Sequence, residues 1–299
     1  MRKVKVITDS CSDLSAELLK KYDIDYAQMR TVYEGKETPA RLEWTKEDAH
    51  ALYEIMRGGE RVTTTQVPVE EFIEVFKKYL DEGYDIVYVG CCSKQSGSVN
   101  TAAMVASKLL EAYPDATIAC IDSLNASMGE GVLAIEAAKL RDAGKSVKEI
   151  EAEINAIKKT VNEYVTVHSL TTLHKAGRVK GSAAFFGNLM GVKPIIISDK
   201  NGDQAAYKKV KGRQKSFEEI VALMKETVVA PETQTLYIVH SDCSEEEIEQ
   251  LKEIVKKEIP FKDIYVALIG PIIGASIGPD AIGLIAFGKE VTFQVGEGK

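Results

Sequence analysis

Three separated segments carry residues of the kinds that do chemistry. TTTQVPVEEF runs from Thr63 to Phe72, CCSKQSGSVNTA from Cys91 to Ala102, and GPIIGASIGPDAIG from Gly270 to Gly283. Each sets hydroxyls and glycines in a loop beside an apolar element. Hydroxyls donate hydrogen bonds without bringing a charge, and glycine lets a ligand come close to the backbone. The pattern suits a small anionic head group held above an apolar cavity, and none of the three segments supplies a catalytic engine.

One reading does point to catalysis. Gly274-Ala275-Ser276-Ile277-Gly278 is a formal match to the G-x-S-x-G nucleophile elbow, which needs a strand before it, a helix after it and a histidine later in the chain. All four histidines, His50, His168, His174 and His240, precede Ser276, and Pro279 follows the motif at once. A serine hydrolase or acyl transferase using Ser276 is therefore the rival reading, opposed by chain order. His168 and His240 end apolar strands and read as structural groups. The five cysteines show neither C-x-x-C nor paired Cys/His spacing, so neither a disulfide framework nor a metal site is expected. Cys91-Cys92 reads as a pair of small apolar residues at a strand end. Walker and G-x-G-x-x-G patterns are absent.

The elements that must position these residues alternate strand and helix through the first half. Strands are expected at Lys3–Thr8, Tyr26–Tyr33, Asp85–Gly90 and Thr117–Ile121, and the near-continuous apolar runs suit strands covered on both faces. Helices are expected after Asp13, from the Thr45 cap to Met56, through Phe72, Val75, Phe76, Tyr79 and Leu80 with Pro68 in the first turn, and over Ala102–Ala112, Gly131–Asp142 and Ser146–Val161. This is a parallel, doubly wound sheet, whose ligands sit beyond the carboxyl ends of the strands. Asp9-Ser10, Ser93-Ser96 and Asp122-Ser123 fall at such ends. The second half restarts at Tyr164–Leu170 and continues through KPIIIS, an Asn201-Gly202 hairpin turn, AAYKKV, TLYIVH, DIYVAL and GLIAFG, with helices after Ser216 and Ser244. The fold class is thus two-domain α/β: an N-terminal Rossmann-like parallel-sheet domain over residues 1–161 and a C-terminal mixed-sheet α/β domain over 162–299.

Composition narrows the function classes. At 299 residues, 45% apolar and 28% charged, the chain is an ordinary globule of two medium domains. A formal charge of −7 gives no nucleic-acid footprint. The longest uncharged stretch, Ile264 to Pro279, is short and broken by glycine and proline, and MRKVKVITDSC reads as a first strand rather than a signal peptide. A cytoplasmic protein with no integral membrane segment is expected.

Six segments in order resemble the DegV family over nearly the whole chain. They are VITDSCSDLS (Val6–Ser15), TTTQVPVEEF, SKQSGSVNTA, DSLNASMGEG (Asp122–Gly131), LHKAGRVKGSAAFFGNLMGVKPII (Leu173–Ile196) and GPIIGASIGP. The resemblance implies a non-enzymatic, two-domain carrier that needs no cofactor. Its ligand would be a long-chain fatty acid, with the carboxylate in a hydroxyl-rich niche and the C-terminal domain contributing the acyl pocket. It also implies a partner: a separate ATP-dependent fatty acid kinase subunit that phosphorylates the bound carboxylate.

Such a ligand brings its own affinity. At roughly 0.8 kcal/mol per buried methylene, a sixteen-carbon chain gains about 11 kcal/mol before ordering costs, so the head group needs only orientation. Thr64, Thr65, Ser93 and Ser96 are the expected hydroxyl donors, and Gly97 opens the N-terminus of the following helix. Gly274 and Ser276 belong to the terminal glycine motif, where the family commonly has a histidine beside the carboxylate and this chain has Ser276. Asp9 and Ser10 are expected either to touch ligand or to hold their loop. Arg213, in the basic run KKVKGRQKS, is expected at the pocket mouth, whereas Arg178 reads as a loop-pinning residue.

Overall fold

The computed structural model describes residues 2–181 and 191–295; positions 182–190 of the long glycine-rich motif lie outside the described residues. The chain divides into two compact units, one holding Met1–Glu43 and Thr64–Lys158, the other Trp44–Thr63 and Lys159–Lys299. The sequence reading places a single boundary near Val161. Instead the chain leaves the first unit at Trp44 and returns at Thr64.

The first unit is built on a four-stranded parallel sheet of β1 (Val4–Asp9), β2 (Ile24–Ala27), β6 (Asp85–Gly90) and β7 (Ile118–Asp122), in the order β2-β1-β6-β7. Its helices are α1 (Ala16–Lys21), α3 (Val69–Asp81), α4 (Ser98–Ala112), α5 (Met128–Asp142) and α6 (Val147–Ile157). Phe72, Phe76, Tyr79 and Leu80 of the α3 stripe are buried and Val75 is half-buried, and Phe72 meets the Tyr88 ring edge-on at 5.2 Å. Pro68 is the residue that caps α3 rather than a member of its first turn. A smaller sheet joins β3 (Arg30–Tyr33), β4 (Lys36–Pro39) and β5 (Thr63–Thr65) in the order β4-β3-β5.

The single strand expected over Tyr26–Tyr33 is thus two strands in different sheets. Its break has a tertiary cause: Ser10 Oγ accepts the Met29 N–H at 2.9 Å, and Arg30 pairs with Glu71 at 3.0 Å. These contacts turn the chain out of the parallel sheet after Ala27. Strand order reverses direction between β1 and β6, since the chain moves from β1 to β2 on one side and then places β6 on the other. The crevice beyond their carboxyl ends is the topological switch point, where open α/β sheets take ligands.

The second unit carries α2 (Lys46–Arg57), β8 (Val161–Thr166), α7 (Thr171–Ala176), β9 (Val192–Ser198), β10 (Gln204–Lys211), α8 (Arg213–Thr227), β11 (Thr235–His240), α9 (Glu245–Glu258), β12 (Asp263–Leu268), α10 (Pro271–Ile277) and β13 (Ile282–Phe287). Its six-stranded mixed sheet has the order β10-β9-β8-β13-β11-β12, with only β11 and β12 parallel. Val161, expected at the end of a helix, opens β8 opposite Phe287.

The helix α2 belongs here because its contacts are here. The Thr45 capping box starts it, Tyr53 Oη donates to the Ile269 carbonyl at 2.9 Å, and Arg57 pairs with Asp242 at 2.7 Å and Asp280 at 2.6 Å. Tyr53 is fully buried, so Tyr53→Phe leaves the carbonyl without its donor. A loss of about 1–2 kcal/mol is expected, read from the urea midpoint.

Candidate functional site

In the first unit, β5 places Thr64 and Thr65 just before the turn that starts α3. Gln66 and Val67 then join this segment to the turn between β6 and α4. Val67 N–H donates to Ser98 Oγ at 3.1 Å, and Gln66 Nε2 donates to Thr101 Oγ1 at 2.8 Å. Gly97 lets the two segments approach closely: a β-carbon there would lie 2.0 Å from Gln66 Oε1 and push that side chain aside. Two of the sequence motifs are therefore stitched side by side.

The turn itself is held from below. Cys92 N–H donates to the Asn125 carbonyl at 2.9 Å, and the Asp122 carboxylate accepts the N–H groups of Ser93 at 3.2 Å and Leu124 at 3.0 Å. Asp122-Ser123 thus holds loops. Ser96 Oγ lies 3.0 Å from Ser98 Oγ and accepts the Ser98 N–H at 3.2 Å, so it is already engaged in the turn that leads into α4. The helix starts at Ser98, a turn earlier than Ala102, with Gly97 at its N-cap. The hydroxyls of Thr64, Thr65 and Ser93 make no hydrogen bond among the described residues; Thr64 and Ser93 are half-buried and Thr65 is exposed. Free hydroxyls on two adjacent loops, beside the first N–H groups of α4, form a neutral set of donors for one anionic group.

Asp9 and Ser10 fall on the loop side of the alternatives left open for them. Both are fully buried, and Ser10 Oγ is occupied by Met29 N–H. Asp9 Oδ1 accepts the Cys11 N–H at 2.9 Å, and Oδ2 accepts the Tyr88 hydroxyl at 2.6 Å and the Cys91 N–H at 3.1 Å. One carboxylate thereby ties the end of β1 to the end of β6.

Behind it lies a cluster that spacing in the sequence could not reveal. Cys11 Sγ stands 3.1 Å from Cys91 Sγ, and Glu130, in the first turn of α5, accepts the Thr8 hydroxyl at 2.7 Å. Burial, then the neighbouring Asp9 charge, drives the Glu130 carboxyl well above the usual range, and burial raises Asp9 as well. At Cys91 the Cys11 hydrogen bond lowers the thiol value, but burial with the Glu130 and Asp9 charges outweighs it and pushes the value up to about 12.

The candidates of the second unit sit differently. Gly274 and Ser276 lie inside α10, which runs from Pro271 to Ile277 and is followed by Gly278 at φ +84° and then by β13. The order is helix, turn, strand, the reverse of a nucleophile elbow, so the G-x-S-x-G match has no elbow. Gly274 is a packing glycine: a β-carbon there would stand 2.4 Å from Tyr53 Oη. Arg213 is not part of a solvated basic run. It opens α8 part-buried, with Nε on Glu247 at 2.7 Å, Nη2 on the Asp280 carbonyl at 2.9 Å and the guanidinium over the Phe217 ring at 4.9 Å. Desolvation, then the nearby Arg213 and Lys193 charges, lowers the pKa of His168. Arg178 donates to the Ala176 carbonyl at 2.6 Å, within the loop that ends α7. Among the described residues no helix is long and apolar enough to cross a membrane.

Comparison with known proteins places the chain in a family. A family model described as "uncharacterised protein, DegV family" matches residues 3–289. A DegV domain-containing protein of Clostridium perfringens is 33% identical over 288 residues, covering 96% of this chain and 98% of its own. The crystal structure of a DegV lipid binding protein from Thermotoga maritima superposes with a TM-score of 0.83 at 27% identity, over 97% of this chain and all of that one. DegV of Bacillus subtilis, described as a fatty acid binding protein, gives 0.81 at 25% identity over the same shares. The family match spans the parallel sheet with its hydroxyl-bearing loops and the mixed sheet alike, and the chain belongs to the DegV family.

Proposed function

We propose that the protein binds one long-chain fatty acid without turning it over, and that it holds the carboxylate at the niche of Thr64, Thr65, Ser93 and Ser96. The observation that carries this reading is the set of free hydroxyls at Thr64, Thr65 and Ser93 beside the N-terminus of α4, in a chain whose relatives in Thermotoga maritima and Bacillus subtilis are described as lipid and fatty acid binding. Neutral donors orient a carboxylate without a buried counter-charge, and the acyl chain supplies the affinity. In the finer form of the reading, the bound carboxylate is presented to a separate ATP-dependent kinase subunit for acyl-phosphate formation. The chain has no Walker motif of its own.

Purified protein is expected to carry a long-chain fatty acid that is released only on denaturation and seen by mass spectrometry of a lipid extract. With magnesium and ATP alone the acid should stay unmodified. Extracts free of lipid, together with no uptake of added palmitate or oleate, overturn the proposal.

A further inference from the structure

We propose that Cys11, Cys91 and Glu130 form a binding site for one thiophilic divalent cation of the zinc class, independent of the fatty acid niche. These residues come from three distant parts of the chain, the loop after β1, the loop after β6 and the first turn of α5, and they meet at the switch point of the parallel sheet. The two Sγ atoms and a Glu130 carboxylate oxygen all lie within 4.8 Å of one another. Cys11 and Cys91 are each 2% exposed and Glu130 is fully buried.

An unpartnered oxygen supplies the independent pointer to a ligand. Glu130 Oε1 accepts from Thr8 Oγ1 at 2.7 Å and from the Asp9 N–H at 3.4 Å, while Oε2 is buried with no partner among the described residues. A buried carboxylate oxygen without a donor is costly, and a bound cation is the partner it would accept. Ser12 Oγ is likewise buried and without a partner among the described residues.

The surroundings favour a cation as well. The largest electrical influences on the three ligands come from Asp9 at the end of β1, Asp13 beyond it, Cys92 after β6, and the ligands themselves; Tyr88 feels Asp9, Glu130 and Cys91 in turn. None of these groups is basic. Asp9 adds an outer layer: by accepting the Cys11 and Cys91 N–H groups it fixes the backbone of both sulfur ligands, as supporting carboxylates do around metal centres.

The donor set selects the class of metal. Two thiolates with one carboxylate suit zinc and its analogues, whereas magnesium and calcium need a shell of oxygens. Metal–sulfur bonds of about 2.3 Å at a tetrahedral angle set two sulfurs about 3.8 Å apart. Loading therefore needs the pair to open by about 0.7 Å from its 3.1 Å separation.

The test uses full-length protein, reduced, treated with chelator and titrated with cobalt(II) as a spectroscopic stand-in. One equivalent is expected to bind with an intense near-ultraviolet thiolate-to-cobalt band and visible tetrahedral bands, and zinc should displace it. Cys11→Ser and Cys91→Ser should each abolish the thiolate band. Glu130→Gln should keep part of the band while weakening cobalt at least tenfold. Cys120→Ser and Cys243→Ser should change nothing, which separates this site from adventitious thiol binding. Circular dichroism checks that each variant folds, and the wild-type stoichiometry and zinc competition stand without any variant. Lack of the band in reduced wild-type protein overturns the proposal, as does a band that survives in Cys91→Ser. A mass lower by two hydrogens before reduction, with no cobalt uptake after it, assigns the pair to a disulfide and also overturns it. Fatty acid content is read in parallel and is expected to be independent of cobalt loading, so failure here leaves the lipid reading standing.

Discussion

Lowering the pH from 7 to 4.5 is expected to cost the protein about 2–3 kcal/mol of stability through His240 alone. This residue ends β11, is 6% exposed, and has a buried Nδ1 with no partner. Desolvation dominates its environment and brings its pKa down to about 4 from the usual histidine value of about 6.5. The sign follows from proton uptake. Between pH 6.5 and 4 the unfolded chain binds a proton that the folded chain refuses, so stability is full above 6.5 and drains away as the pH falls. His168, also lowered, acts in the same sense.

The measurement is the urea midpoint at pH 7 and at pH 4.5 for wild type and His240→Gln. The variant should lose about 2–3 kcal/mol less than wild type across that interval. Taking the difference between the two proteins cancels the opposite contribution of Glu130, whose raised pKa makes its own stabilisation fade as pH rises. Equal pH slopes in the two proteins would show that His240 titrates normally.

Thr64→Val is expected to weaken fatty acid binding by at least tenfold with little change in the unfolding midpoint. The substitution keeps the shape of the side chain and removes one hydroxyl. A hydrogen bond to a charged acceptor contributes about 1.5–3 kcal/mol, and among the described residues this hydroxyl makes no bond that its removal would break. Ser96 is the contrasting case. Its hydroxyl accepts the Ser98 N–H at the start of α4, so Ser96→Ala should lower both affinity and stability, with about 1 kcal/mol expected from the lost hydrogen bond. Competition of a fluorescent fatty acid by oleate, paired with urea unfolding, separates the two effects. A loss below threefold at Thr64 would mean that the carboxylate is held elsewhere.

Much of the fold was legible because its signals are local. The apolar runs of β1, β6 and β7 announced a sheet covered on both faces, the Thr45 and Ser146 capping boxes marked α2 and α6, and Asn201-Gly202 marked the β9–β10 turn. Local signals also misled. Tyr26–Tyr33 alternates like one strand, but Ser10 and Glu71, distant in sequence, take Met29 and Arg30 out of the sheet. The G-x-S-x-G pattern is a string of residue types, and the helix that contains it removes its meaning.

The two-domain α/β class, the family and the hydroxyl-bearing loops could be read from the chain alone, because strand period, cap chemistry and motif order are properties of neighbouring residues. Which of those hydroxyls are free is set by the folded contacts. Ser10, Ser96 and Ser98 are spent on backbone N–H groups that folding brings to them, while Thr64 and Ser93 are not. The tertiary structure also decided that α2 joins the second unit through Tyr53 and Arg57, and that Cys11, Cys91 and Glu130 meet. Each of these depends on contacts between residues far apart along the chain. The sheet order β2-β1-β6-β7 creates the corner where β1, β6 and α5 converge, and no window of sequence contains all three.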